Sequence, residues 1–243
     1  MPNIKLTGKV PLDSIRLFDL PSLPADVVAG YKSLSDLTAT VSDALDELGI
    51  VGVIPASVLI PIVPGSCIVG PAVTVRNVSR REQIYKAASD GNNTMGDAEA
   101  HNLAKPGDVL VIEGIIGCSN FGGQSATMGH RQQEAGAIID GSIRDPDEER
   151  RIGFPVWCRG VTPMTGKWRL QTVEINGPVH IFGIQVRPGD LVCADDAGVA
   201  FIPYQQIAKV LEISRKLDAG AIKRKQDIEN GVSVPELMQR KYK

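Results

Sequence analysis

The chain has 243 residues, of which 43% are hydrophobic and 22% charged, with a formal net charge of −2. That balance suits a packed globular core, in one large domain or two small ones, and carries no broad basic excess of the kind that binds nucleic acid non-specifically. No apolar run reaches the roughly 18 residues of a membrane span. Cys67, Cys118, Cys158 and Cys193 are widely spaced with no C-x-x-C, which fits reduced thiols better than a disulfide framework or a zinc site. The N-terminus lacks the basic-then-apolar pattern of a signal peptide, so a cytoplasmic location is expected.

Residues 1–34 are punctuated by proline and read as an N-terminal arm with one short helix. Leu37, Val41, Ala44, Leu45 and Leu48 recur at helical spacing, and Gly49 stops the run. Cys67–Val75 reads as a strand interrupted at Gly70-Pro71 and ended by Arg76. Short helices are predicted over Glu82–Ala88 and Thr94–Ala104, the second stopped by Lys105-Pro106. Glu99 and His101 stand two apart, on different helix faces, and so make a poor metal pair. Pro106-Gly107-Asp108 and Pro188-Gly189-Asp190 each precede an apolar run, a turn-into-strand device used twice.

The stretch from Phe121 to Asp147 holds the candidate site. Gly122-Gly123 permits backbone conformations that a Cβ forbids, Gln124–Ala135 reads as a helix, and Ala137–Ile139 as a buried strand leaving through Asp140-Gly141. Arg144 and Asp145 then fall just past the strand's C-terminal end, where ligands of α/β folds collect. Singly, a Gly-Gly is more often a plain turn and an Arg-Asp pair a solvated one. Together, the unpaired N–H groups of the helix start, the guanidinium and the carboxylate have the parts to hold one small anion. Asp145 is a hard oxygen ligand of the type that suits Mg²⁺ or Mn²⁺.

Beyond the site, Phe154–Trp157 is a short apolar run and Thr162–Gln171 is irregular. Val173–Val186 holds two strand-like pieces. Asp195, Asp196 and Gly198 form an acidic turn, read as a plain β-turn rather than a cation site. Tyr204–Asn230 is a long helix weakened at Gly220. Alternating strands and helices make the fold class α/β.

DGSIRDPDEERRIGFPVWCRGVTP, together with SDALDELG, VGPAVTV, KPGDVLVI and RPGDLVCADDAGVAFIP, resembles the linked motifs of RraA-like proteins over roughly residues 36–215. The resemblance implies a swivelling β/β/α domain at 35–215, between the arm at 1–34 and a C-terminal helical extension at 216–243, and assembly as a homotrimer or hexamer. It implies a divalent-metal-dependent lyase, an aldolase releasing pyruvate from 4-hydroxy-2-oxo acids that also decarboxylates oxaloacetate. The family also contains non-catalytic regulators that bind a ribonuclease. By resemblance Gly122, Gly123, Gln124 and Ser125 form the substrate-binding turn, Arg144 binds substrate and acts in catalysis, and Asp145 is catalytic and holds Mg²⁺ or Mn²⁺. Two positions depart from the pattern. The family's aldolases carry an Asp where Gly123 stands, a loss that widens the site on paper and leaves room for a different carboxylate substrate. They also take a Glu from a neighbouring subunit's last helix, for which Asp218 is only a loose match.

Overall fold

The computed structural model describes residues 5–242. Strands are β1 (Val53–Pro55), β2 (Ile60–Pro61), β3 (Ile68–Ser79), β4 (Val109–Glu113), β5 (Ser119–Phe121), β6 (Gly136–Ile143), β7 (Val156–Val161), β8 (Leu170–Ile175), β9 (Val179–Ile181), β10 (Ile184–Val186), β11 (Leu191–Asp195) and β12 (Gly198–Ile202). Helices are α1 (Ala25–Lys32), α2 (Leu37–Glu47), α3 (Ile84–Ser89), α4 (Asp97–Leu103), α5 (Gly123–Arg131), α6 (Pro146–Ile152), α7 (Ile207–Glu229) and α8 (Val234–Gln239).

The main sheet runs β1-β12-β11-β3-β4-β6-β7-β2, with β5 added to β6 and β8 to β3, while β9 and β10 pair separately. Its centre, β3-β4-β6-β7, is parallel, and β11, β12 and β1 extend it antiparallel. The central strands are apolar on both faces, as a sheet covered on both sides requires. One face packs Phe121, Ile139 and Phe154 with Ala126 of α5. A second cluster gathers Trp157 with Val192 and Phe201, and a third seals α2 and α7 onto β11 and β12 through Val41, Leu45, Val210 and Leu211.

β3 continues through Gly70-Pro71 and past Arg76, where an interruption and an end were expected. It survives because it changes partners, pairing β11 over Ile68–Pro71, then β4, then β8. Beyond Pro71, which has no N–H to give, Ala72 donates to Asp190 O at 2.8 Å and accepts from Gly189 N at 2.9 Å. Gly70 is needed for space, since a Cβ there would strike the Gly107 carbonyl. The two Pro-Gly-Asp turns are built alike. Gly107 and Gly189 take φ of +88° and +86°, and Asp108 and Asp190 accept from the N–H three residues back, Lys105 and Arg187, each at 2.8 Å.

Other boundaries shift for local reasons. α4 starts at Asp97, not Thr94, because the preceding residues are tied to β8: Gly96 N–H donates to Thr172 Oγ1 at 2.7 Å, and Thr172 N–H to Thr94 O at 3.0 Å. β6 extends to Ile143, so Asp140-Gly141 is inside the strand rather than its exit. Gly141 is there for close approach, its missing Cβ falling 2.5 Å from Asn120 Nδ2. Asn120 bonds Ile115, Cys118 and Ser142, stapling the loop before β5 to β6. Residues of the N-terminal arm are buried too: Val10, Ile15 and Leu20 join the Phe121 cluster, and the Tyr31 hydroxyl donates to Ile207 O at 2.7 Å. At the other end, α7 crosses residues 215 and 216 as one helix. Gly220 within it is buried, because the carbonyl of Tyr242 in the returning tail fills the place of a Cβ.

Candidate active site

The cleft of interest holds about 140 Å³ of space between the start of α5 and the end of β6. Phe121, Gly122, Gln124, Ser125, Arg144 and Asp145 line it. β5 and β6 are parallel neighbours, with Phe121 paired to Ile143 and Arg144 N–H donating to Phe121 O at 3.0 Å. That pairing brings the start of α5 beside the end of β6, so two segments more than twenty residues apart in sequence share one cleft.

Gly122 is extended, at φ −168°, and Gly123 begins α5, so neither glycine is there for an unusual backbone conformation. Both are there for space. A Cβ on Gly122 would meet Asp145 Oδ2 at 3.2 Å, and one on Gly123 would fall 2.9 Å from Glu148 Cβ and Cγ and 3.4 Å from Asp145 Cβ. The absence of an acid at 123 therefore does not widen the cleft, because the methylenes of Glu148 on α6 occupy that room. The Glu148 carboxylate turns away to Arg151, at 2.6 and 2.8 Å, and that bond holds it below the usual carboxylate range.

Asp145 adopts the left-handed conformation, φ +63° and ψ 44°, between β6 and α6. An aspartate tolerates this better than most residues. Its side chain is 46% exposed, and among the described residues its Oδ2 accepts only long bonds, from Arg144 Nε at 3.3 Å and Gly123 N–H at 3.4 Å. The first N–H groups of α5, at Gly123, Gln124 and Ser125, have no acceptor within the helix. Below, Glu149 is fully buried with neither carboxylate oxygen bonded to protein among the described residues. Burial, aided by the charges of Asp145 and Glu148, pushes its carboxyl up to about 7.

The structure adds cleft residues that the sequence reading missed. Lys9 reaches in from the arm, Asp97 from the start of α4 and Lys167 from the irregular segment before β8. No motif marks any of the three. Three cationic side chains thus face two carboxylates, next to a helix N-terminus. His101, which stands two residues from Glu99 in sequence, reaches Ser125 and Glu134. Glu99 turns to Thr7 and Gly8. Asp218 is held within its own chain by Ser35 and is 8% exposed. Asp195 and Asp196 bond Thr38, Ala197 and Gly65, as a structural turn does. Cys118 is buried, which raises its thiol, and it joins no polar network of the cleft.

The donor set fits a hard cation held through few protein ligands. Among the described residues no three His, Cys, Asp or Glu side chains cluster as a metal cage. Asp145, with weakly engaged oxygens, and Asp97 in the same cleft match the one or two carboxylates by which Mg²⁺ is usually bound, with waters and substrate completing its shell.

The fold and this cleft define a swivelling β/β/α protein with a small mixed-charge cleft at the end of a parallel strand. The RraA-like family, Aldolase/RraA, matches residues 38–201, and the chain belongs to it. It is 33% identical over 213 residues to "Putative 4-hydroxy-4-methyl-2-oxoglutarate aldolase" of Halalkalibacterium halodurans, covering 85% of this chain and 90% of that protein. It is 31% identical over 176 residues to Protein DlpA of Legionella pneumophila, 72% of this chain but only 27% of that longer protein. Among solved structures, Streptomyces coelicolor RraAS2, described as an unusual member of the RNase ES inhibitor RraA protein family, superposes with a TM-score of 0.66 at 28% identity, over 86% of this chain and 96% of that one. Among the described residues no helix is long and apolar enough to cross a membrane.

Proposed function

We propose that the protein is a divalent-metal-dependent lyase that cleaves a small 4-hydroxy-2-oxo acid and releases pyruvate, with oxaloacetate decarboxylation as a side activity. The observation that carries this reading is the convergence of the α5 start, Arg144 and Asp145 on one small cleft. The similarity to a protein named as an aldolase over nearly its whole length supports it. In this reading the N–H groups of Gly123, Gln124 and Ser125 bind the substrate carboxylate, with Lys9 and Lys167 adding attraction at the rim. Arg144 meets the negative charge that grows on the 2-oxo oxygen as the C3–C4 bond breaks. Asp145, helped by Asp97, would hold Mg²⁺ or Mn²⁺, which supplies Lewis-acid polarisation of the 2-oxo group when bound. The long contacts of Asp145 leave its oxygens available for that role.

The test is pyruvate release from oxaloacetate and from a 4-hydroxy-4-methyl-2-oxo diacid, with Mg²⁺ or Mn²⁺ and with chelator, for wild type and Asp145→Ala. Metal-dependent release that the variant loses is the expected result. No release above the metal-only blank would sink the reading. The same reading carries the expectation of a cytoplasmic homotrimer or hexamer, which light scattering and fractionation check. A second reading, a regulator that binds a ribonuclease, is favoured by the similarity to RraAS2. It predicts a ribonuclease complex that survives chelation.

A further inference from the structure

Beside the cleft lies a polar chain that the proposed binding of metal and carboxylate does not use. Ser125 Oγ is 2.8 Å from His101 Nε2, and His101 Nδ1 is 2.7 Å from Glu134 Oε1. The three residues come from α5, α4 and the turn after α5, and are 2%, 1% and 7% exposed. Only Ser125 lines the cleft with Arg144 and Asp145.

The local fold builds this arrangement deliberately close. α5 ends when Gln133 turns left-handed, at φ +60°, and Glu134 folds back so that its N–H donates to Gly129 O at 3.0 Å. Gly129 lies one helical turn beyond Ser125, and a Cβ there would come within 3.1 Å of Glu134 Oε2 and 2.7 Å of the Phe154 ring. The glycine thus leaves room for the carboxylate beneath the imidazole. A histidine buried only for packing needs its two nitrogens satisfied and no direction. Here the order is directional, from carboxylate to imidazole to a hydroxyl on the cleft wall. A carboxylate can only accept, so it fixes the proton on Nδ1 and leaves Nε2 as the acceptor facing Ser125. The second Glu134 oxygen has no protein partner among the described residues, so the acid is not fully engaged by a structural network.

We propose that Ser125, backed by His101 and Glu134, is the proton acceptor and donor of the cleft. The proposal rests on the lyase reading above. As the 4-hydroxyl gives its proton to Ser125 Oγ, the Ser125 proton passes to His101 Nε2. The C3–C4 bond breaks, C4 becomes a carbonyl, and the bonding pair forms the enolate of pyruvate. The proton then returns from His101 through Ser125 to C3, and no net proton is gained or lost. Ser125 touches substrate, whereas His101 and Glu134 act through it. Gly123 leaves the α5 start without an acid of its own, and this relay supplies a base through Ser125 in the same turn.

Decarboxylation of oxaloacetate removes no hydroxyl proton, so comparing the two substrates isolates the accepting step of the relay, while both need a proton at C3. In His101→Gln and in Ser125→Ala, the ratio of diacid cleavage to oxaloacetate decarboxylation is expected to fall by about 10²- to 10⁴-fold, the usual contribution of a general base. Equal losses on both substrates would make the chain structural and overturn the proposal. The ¹⁵N shifts of the wild-type imidazoles give a reading that needs no turnover, with the three histidines assigned through His101→Gln. An Nδ1–H tautomer at His101, disturbed in Glu134→Gln, is expected, and an Nε2–H tautomer overturns the relay. If wild type turns over neither acid, the lyase reading fails, and the tautomer still decides whether Ser125 faces a base.

Discussion

Two strands of this protein have an aspartate at or just past their C-terminal end, and the two carboxylates have opposite fates. At the end of β11, Asp195 accepts from Thr38 Oγ1 at 2.6 Å and from the Thr38 and Ala197 N–H groups at 2.9 Å each. It ties α2 to the sheet, and its charge is fully engaged. Two residues past β6, Asp145 accepts, among the described residues, only at 3.3 and 3.4 Å, is nearly half exposed, and sits in a left-handed conformation on the cleft wall. A carboxylate with short bonds from backbone N–H groups is holding the fold. One with long bonds beside an arginine is free to meet a ligand. The difference is invisible in sequence, where each residue is an Asp that follows an apolar strand.

The largest expected effect separates the two on activity. Arg144→Ala and Asp145→Asn should each lose roughly 2–4 kcal/mol of transition-state stabilisation, about 30- to 900-fold in kcat, with thermal stability little changed. Asparagine is chosen at 145 because it tolerates the left-handed backbone. Unchanged turnover in steady-state kinetics would remove these residues from the chemistry.

The next effect lies beneath Asp145. The Glu149 carboxyl is raised in the fold to about 7. The folded state therefore holds a proton that the unfolded chain releases from about pH 4.5 upward. Stability from this group is fully present below that range and is lost as pH rises through about 7, a change on the order of 3 kcal/mol. Denaturant titrations at pH 5 and pH 8 should show the loss in wild type and not in Glu149→Gln. Asp145→Asn should lower the midpoint of that loss, because one of the charges raising the Glu149 carboxyl is gone.

Asp195→Ala should cost about 1–3 kcal/mol of stability, by leaving the Thr38 donors without an acceptor, and should leave kcat within a few-fold. A large loss of activity with no loss of stability would reverse the comparison. The smallest effect concerns Gly123. Gly123→Asp, which inserts the side chain that the family's aldolases carry, should destabilise by roughly 1–2 kcal/mol, because its Cβ meets the Glu148 methylenes. Glu148→Ala in the same chain should restore only part of that, because it removes the Cγ contact and keeps the Cβ one, as read by melting temperature.

The sequence by itself determined the local devices and the family. The spacing of Leu37, Val41 and Leu45 marks α2, the two Pro-Gly-Asp turns start β4 and β11, and the run from Phe121 to Asp145 contains a helix start, a strand and the Arg-Asp pair in the order found. Such features are legible because they depend on neighbours within a few residues: backbone freedom, helical periodicity and missing donors. The purposes of several glycines were not legible, since Gly70, Gly123 and Gly141 each serve an approach by a segment distant in the chain. The continuity of β3 through Pro71 was hidden for a similar reason, because it depends on partners from β11 and the turn before it. Only the tertiary structure decided which charged residues share the cleft, bringing Lys9, Asp97 and Lys167 to Arg144 and Asp145. It also joined Ser125 to His101 and Glu134. Hydrogen bonds act over about 3 Å in space whatever the separation along the chain, so side chains 24 and 33 residues apart become partners only once the sheet has set α4 and α5 side by side.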